Sequence, residues 1–241
     1  MDTRSWLETW EQGRQAHPID RALLLADHCG RVLPSGNTVQ GAVLADVSLG
    51  ELNRHLLKLG RQLFGGRVEA LVDCAQCGER LELDLELDAI ASSLQVAEVD
   101  GPFSGLAEVA GDVYRTPTSR DLAAISRAQT SGQAEDMLLR RLQQGTWTPD
   151  KQTDMAAVSE VLEALDPALD IAVTLTCEHC NEDVSVSFDV AEFVWAEVER
   201  QCSALLYDVH VLASSYGWSE ADILAMPAAR RAFYTGLLQH G

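Results

Sequence analysis

The chain has 241 residues, of which 46% are hydrophobic, enough for a real core; its 37 acidic and 18 basic side chains leave a formal charge of −19. That field repels phosphate backbones and anionic membranes, so nucleic-acid and membrane binding are disfavoured. Apolar runs such as Ala22 to Ala26 are far too short to cross a bilayer, and Met1 to Trp6 has no signal-peptide core, so a cytoplasmic protein with reduced thiols is expected.

The first third reads as helical. Trp6, Leu7 and Trp10 share a face of a helix over Ser5 to Arg14, and Pro18 is a favourable first position for a second helix running towards Cys29. Gly30 to Gly41, rich in Gly, Pro, Ser and Asn, breaks the pattern. Ser48, with Glu51 three residues on, caps a helix from Leu49 to Phe64 whose Leu52, Leu56, Leu59 and Leu63 recur at helical spacing; Gly65-Gly66 stops it. A strand, Val68 to Val72, leads into Cys74-Ala75-Gln76-Cys77, and Leu81, Leu83, Leu85 and Leu87 then alternate with Glu82, Asp84 and Glu86 as in a half-buried strand.

About seventy residues later the arrangement returns. Between come an expected strand at Val109 to Tyr114, a turn and cap at Thr116 to Ser119, and helices over Arg120 to Ala128, Ala134 to Gln144 and Thr153 to Leu165, the last two separated by a Gly145 to Asp150 turn. Asp166-Pro167 ends them, and Ile171 to Leu175 feeds Cys177-Glu178-His179-Cys180. Val184, Val186, Phe188 and Val190 then alternate with polar residues. A long helix is expected from about Ala191 to Ser214, ended by Gly217; Ser219 with Asp222 caps the next, and Pro227 starts or interrupts the last. The pairs Arg140-Arg141 and Arg230-Arg231 read as solvated helix faces.

Placing Cys74 over Cys177 also aligns the flanking strands and puts Gly78 over Asn181, the two residue types that best tolerate the positive φ of a tight turn. The two C-x-x-C knuckles therefore read as halves of one site, with Cys74, Cys77, Cys177 and Cys180 as ligands of a tetrahedral structural zinc. With four thiolates the shell is closed, and metal binding contributes to folding, on the order of 10 kcal/mol in small zinc peptides. Iron in a four-thiolate site uses the same ligands, and a C-x-x-C is also a redox dithiol, although a redox pair belongs at a helix N-terminus and both pairs here run into strands. His179 reads as an exposed residue at the knuckle tip, and Cys29 and Cys202 as buried thiols.

The expected fold is therefore α+β and mostly helical. A small antiparallel zinc-ribbon-like core of two knuckle hairpins, side by side, carries a helical insertion between them. The divisions are 1–66 (helical), 67–97 (first knuckle and strands), 98–167 (insertion), 168–190 (second knuckle and strands) and 191–241 (helical). The six histidines have no H-E-x-x-H or H-x-E context, and neither a G-x-S-x-G elbow nor a phosphate loop is present. Asp208 and His210, two apart on a helix, point to different faces. The expectation is that the protein is not an enzyme.

Several stretches together carry a resemblance. They are Ser48-Leu49-Gly50-Glu51, Leu56-Leu57, Leu63-Phe64-Gly65, Val68-Glu69 and the first knuckle with Gly78-Glu79; then Thr116-Pro117-Thr118-Ser119-Arg120-Asp121-Leu122, the second knuckle, Asp208 to Ala213, Tyr216-Gly217-Trp218-Ser219-Glu220 and Ile223-Leu224. In this order they resemble the T-even phage baseplate hub assembly chaperone family and its relatives in contractile injection gene clusters. The resemblance implies a non-enzymatic role in building the baseplate of a contractile tail, as a chaperone or as a component retained in the particle. Hub, spike or wedge proteins are then the partners, met through C-terminal helices carrying Trp218 and Phe233. Phage members often lack paired knuckles, so the zinc-stiffened form is a departure. The alternative is a thiol-disulfide or iron-thiolate redox protein; an adaptor of transcription or RNA machinery conflicts with the acidic charge.

Overall fold

The computed structural model describes residues 3–28, 44–94, 105–145 and 154–239. Cys29, the Gly30 to Gly41 break and most of the Gly145 to Asp150 turn lie outside the described residues.

Two helices, α1 (Thr3–Gly13) and α2 (Pro18–His28), are followed by α3 (Leu49–Phe64), which starts where its capping signal sits: the Ser48 hydroxyl accepts from the Glu51 amide at 3.1 Å. The first hairpin is β1 (Arg67–Asp73) and β2 (Arg80–Glu86), antiparallel with Asp73 opposite Arg80, so the first C-x-x-C is its loop. Leu87 is not the end of that strand. It is the fully buried first residue of a short helix, α4 (Leu87–Ser93), which the alternating pattern concealed.

The insertion is more than a helical lobe. The stretch expected as one strand is a hairpin, β3 (Leu106–Val109) and β4 (Asp112–Arg115), turning at Ala110-Gly111, whose φ values of 53° and 81° are both positive. Alanine is no turn signal, so the pattern ran through it. After α5 (Ser119–Ile125) and α6 (Ser131–Leu142), Gln143–Gln144 form β5, which completes a three-stranded sheet of order β3-β4-β5. With α7 (Met155–Leu165) these elements enclose their own core of Tyr114, Leu139, Leu142, Val158 and Leu162.

The second hairpin, β6 (Ala172–Thr176) and β7 (Asp183–Ser187), has the second C-x-x-C as its loop. Val190 opens α8 (Val190–Tyr216), capped by the Asp189 carboxylate on the Glu192 amide at 2.9 Å, rather than closing a strand. Leu87 and Val190 occupy matching places after the two knuckles, so the repeat includes a helix start. Gly217, at φ 68°, ends α8, and α9 (Glu220–Leu224) and α10 (Ala228–Gln239) follow. Among the described residues no helix is long and apolar enough to cross a membrane.

The main core lies where α1, α2, α3, α4 and α8 converge, with Leu25, Leu56, Leu57, Leu87, Val194 and Trp195 buried together with Val68, Leu83 and Leu85 from the first hairpin. Each such side chain contributes about 1.5–3 kcal/mol of transfer free energy. Among the described residues the insertion meets this body around the start of α3. Ser48 bridges Thr118, the Leu49 amide donates to the Pro117 carbonyl at 2.9 Å, and fully buried Asp166 ion-pairs with Arg54 of α3 while accepting from the Ala168 amide at 3.1 Å. Gly50 makes room for that carboxylate: a Cβ there would lie 2.1 Å from an Asp166 oxygen.

Two arginines expected on solvated faces are engaged instead. Arg141 donates from Nε to Asp121 at 2.8 Å, and buried Arg231 donates from Nη1 to the Met226 carbonyl at 2.5 Å. Their positions on a helix hid the partners, which come from other elements or the preceding turn.

Candidate metal centre

Each knuckle is built by the same backbone bonds. The Cys74 amide donates to the Glu79 carbonyl at 2.8 Å and the Gly78 amide to the Cys74 carbonyl at 2.8 Å; in the second, Cys177 donates to Glu182 at 2.9 Å and Asn181 to Cys177 at 2.8 Å. Gly78 and Asn181 have φ of 74° and 58°, the left-handed conformation that their residue types accommodate at least cost. The loops thus aim both sulfurs of each C-x-x-C to one side.

All four sulfurs lie within 4.8 Å of one another. Cys74 Sγ stands 3.7 Å from Cys180 Sγ, and Cys77 Sγ stands 3.7 Å from Cys177 Sγ. Exchanging the hairpins maps one contact onto the other, so the site has a local pseudo-twofold. Four sulfurs arranged tetrahedrally at ~2.3 Å from one ion have edges of ~3.8 Å, whereas a disulfide bond is ~2.05 Å long. The spacing therefore fits four ligands around a metal ion, and the described cysteines are all free thiols. An ion held by all four has no open position for water.

Burial divides the ligands by place in the loop. Cys74 and Cys177, the first of each knuckle, are buried among Leu81, Val184, Val72, Leu175 and Val186, while Cys77 is exposed and Cys180 half-buried. The amides of Cys77 and Gln76 point at the Cys74 sulfur and hold its thiol down at about 7. At Cys77 the Glu79 amide acts in the same sense, but desolvation and the three neighbouring thiols prevail and push it up to about 12. Four crowded thiols do not ionise together unaided, and a cation supplies the missing compensation. Both C-x-x-C pairs sit in hairpin loops that lead into β2 and β7, so neither has the helix N-terminus that activates a redox dithiol.

The other expected residues fall elsewhere. His179 is exposed at the knuckle tip and outside the ligand group. Cys202 is buried in α8, its sulfur 3.8 Å from the Trp6 carbonyl and its thiol pushed up to about 11, mainly by burial. Trp218 stacks on Tyr216 with centroids 4.5 Å apart and meets Tyr234 edge-on, over a small cluster of Val209, Leu212 and Ile223; Phe233, also against Tyr234, is 64% exposed. The two hairpins do not form one sheet. Each is a separate two-stranded ribbon, and they meet through side chains at the thiols.

No family model, curated protein or solved structure matches the chain.

Proposed function

We propose that the protein is a non-enzymatic, zinc-binding component of baseplate assembly in a contractile injection system or phage-tail-like particle, acting in the cytoplasm or within the particle as a chaperone or a retained part. The observation that carries the zinc half is the two 3.7 Å sulfur contacts between hairpins far apart in sequence. An all-thiolate tetrahedral set selects soft ions, zinc foremost. Among the described residues, the side chains packed around the thiols are aliphatic, without the aromatic shield expected of an iron-thiolate centre.

The baseplate half is supported by the ordered resemblance of the segments named above, several of which occupy joints of the fold. Ser48 to Glu51 and Thr116 to Leu122 meet at the Ser48–Thr118 bridge, and Tyr216 to Glu220 turns α8 into α9. The contact surface proposed for a hub, spike or wedge protein is the C-terminal face with exposed Phe233 beside the Trp218 stack. Two measurements test this reading. Elemental mass spectrometry on full-length protein purified without chelator should give one zinc per chain; iron, or no metal, overturns the zinc half. Purified hub, spike and wedge proteins encoded beside this gene should bind the wild type and bind Phe233→Ala less; binding by none overturns the baseplate half.

A second reading, a thiol-disulfide or iron-thiolate redox protein, draws on the same four clustered free thiols, each C-x-x-C offering a dithiol. It requires reversible dithiol titration or an iron-thiolate absorption band in protein purified without oxygen.

A further inference from the structure

Backbone register shows which polar groups of the two hairpins are left over. In an antiparallel pair, opposed residues alternate between those that exchange hydrogen bonds and those whose N–H and C=O point away from the partner strand. In the first hairpin the bonds Cys74 to Glu79 (2.8 Å) and Leu87 to Gly66 (2.7 Å) fix the phase. With Val72 opposite Leu81 and Val68 opposite Leu85, residues 81, 83 and 85 of β2 bond to β1, and Arg80, Glu82 and Asp84 turn their amides and carbonyls outward. In the second hairpin the bonds Cys177 to Glu182 (2.9 Å) and Phe188 to Ile171 (2.6 Å) make Val173 and Leu175 the bonded residues of β6. Thr174 and Thr176 are therefore the outward ones.

Among the described residues β2 pairs only with β1 and β6 only with β7. The outward groups of both strands border a single groove of about 830 Å³, lined by Glu82, Asp84, Thr174 and Thr176 and by the knuckle residues Glu79 and Glu178. Exposed free edges are ordinarily blunted or covered, because any compatible chain can add to them. Here two of them face one cavity.

The charge of the lining selects the occupant. Glu79, Glu82 and Glu178 are exposed and make no ion pair among the described residues. Asp84 is 3.3 Å from Arg67; of the basic side chains in the lining, Arg80 is committed to Asp73 at 3.1 Å and His179 is exposed at the knuckle tip. A second copy of this chain would bring like charge to the same edge, and a nucleic acid more of it. We propose that the groove is a docking site for an extended, basic segment of a partner protein, which adds as a strand to the free edges of β2 and β6. Main-chain bonds to residues 82, 84, 174 and 176 supply affinity, and Lys or Arg at alternate positions meets the uncompensated glutamates. The β2 side of the groove, Glu79 to Leu85, spans about 20 Å at ~3.3 Å per residue, which suits a segment of about six residues. This site is distinct from the Phe233 face and does not depend on the partner being a baseplate protein.

The test uses full-length, metal-loaded protein and two fluorescent hexapeptides, one alternating Lys and Val, the other Glu and Val, followed by anisotropy at low and high salt. The lysine peptide should bind saturably and weaken with salt, and the glutamate peptide should not bind. Glu82→Lys should weaken binding about tenfold. Thr174→Pro removes an amide that faces the groove and none that bonds β7, so it should lower binding while melting and metal content stay as in the wild type. No saturable binding of the lysine peptide, binding unchanged in both variants, or equal binding of the glutamate peptide overturns the proposal. So does a collapse in Thr174→Pro melting, which would put that amide inside the ribbon, or peptide-free self-association abolished by Glu82→Lys, which would assign the edge to a second copy. Metal content measured on the same samples separates failure of the groove from failure of the metal site.

Discussion

The knuckle hairpins and the insertion lobe are both small β-containing units, and different forces hold them. Around the thiols the buried side chains are two cysteines, Leu81 and Val184, in ribbons of two strands each. A lone two-stranded hairpin is marginal in water. The lobe instead has a three-stranded sheet, an aromatic and aliphatic core, and a buried carboxylate, Asp121, that accepts from Arg115 at 2.6 and 2.9 Å, from Arg141 at 2.8 Å and from the Thr118 amide at 2.9 Å. One unit draws its order from four thiols and the ion they can hold, and the other from packing and charge within the chain.

The comparison breaks hardest at the thiols. Cys177→Ser should release the metal and loosen the hairpin pair, a loss on the order of 10 kcal/mol of metal-linked free energy, while the lobe keeps its hydrogen-exchange protection. Unchanged metal content in this variant and in Cys74→Ser would rule out a shared site. The converse substitution, Asp121→Asn, leaves two arginines facing a neutral group and should cost about 3 kcal/mol, read as lowered protection in the lobe with metal still bound.

The same carboxylate gives the lobe a pH dependence. Burial by itself would raise Asp121, but the Arg115 bonds and those from Thr118 outweigh it and hold the carboxyl at about 2 against an ordinary 3.8. A carboxyl depressed in the folded state contributes fully above its unfolded pKa and loses that contribution as the pH falls towards the folded one. About 2 kcal/mol should therefore disappear between pH ~4 and ~2, and acid titration of Asp121→Asn should lack that step.

Smaller changes sharpen the contrast. Asn181→Ala keeps all four thiols but places a Cβ-bearing residue with no polar side chain at φ 58°, and should lower the stability of metal-loaded protein by about 1 kcal/mol, read by thermal melting. Asn181→Gly should retain or improve it. Cys202→Ala, a buried thiol away from the centre, should leave metal content unchanged; metal loss there would mean the ligands are misassigned.

Much of this was legible from residues alone, wherever the signal is local. Ser48 with Glu51, Asp166-Pro167, Gly217, and Ser219 with Asp222 mark element ends because capping and turn chemistry act within four residues. The α+β class and the set of four cysteines likewise follow from periodicity and spacing. Where a pattern ran on, it misled. Leu87 and Val190 keep strand alternation yet start helices, since a buried apolar residue satisfies either period at a boundary. Ala110 adopts positive φ only because the flanking strands impose a tight hairpin, and Arg141 and Arg231 look solvated until their partners arrive.

The sequence by itself determined that two loops of identical make would each present a pair of thiols, because residues 74–78 and 177–181 carry their turn geometry with them. It also set the acidity of strand β2. Only the tertiary structure decided that those loops meet sulfur to sulfur, that the ribbons stay separate, and that the edges of β2 and β6 face one groove. Those are relations between segments about a hundred residues apart, set by how the α3 helix, the Arg54–Asp166 pair and the lobe return the chain to its point of departure, and no local propensity encodes them.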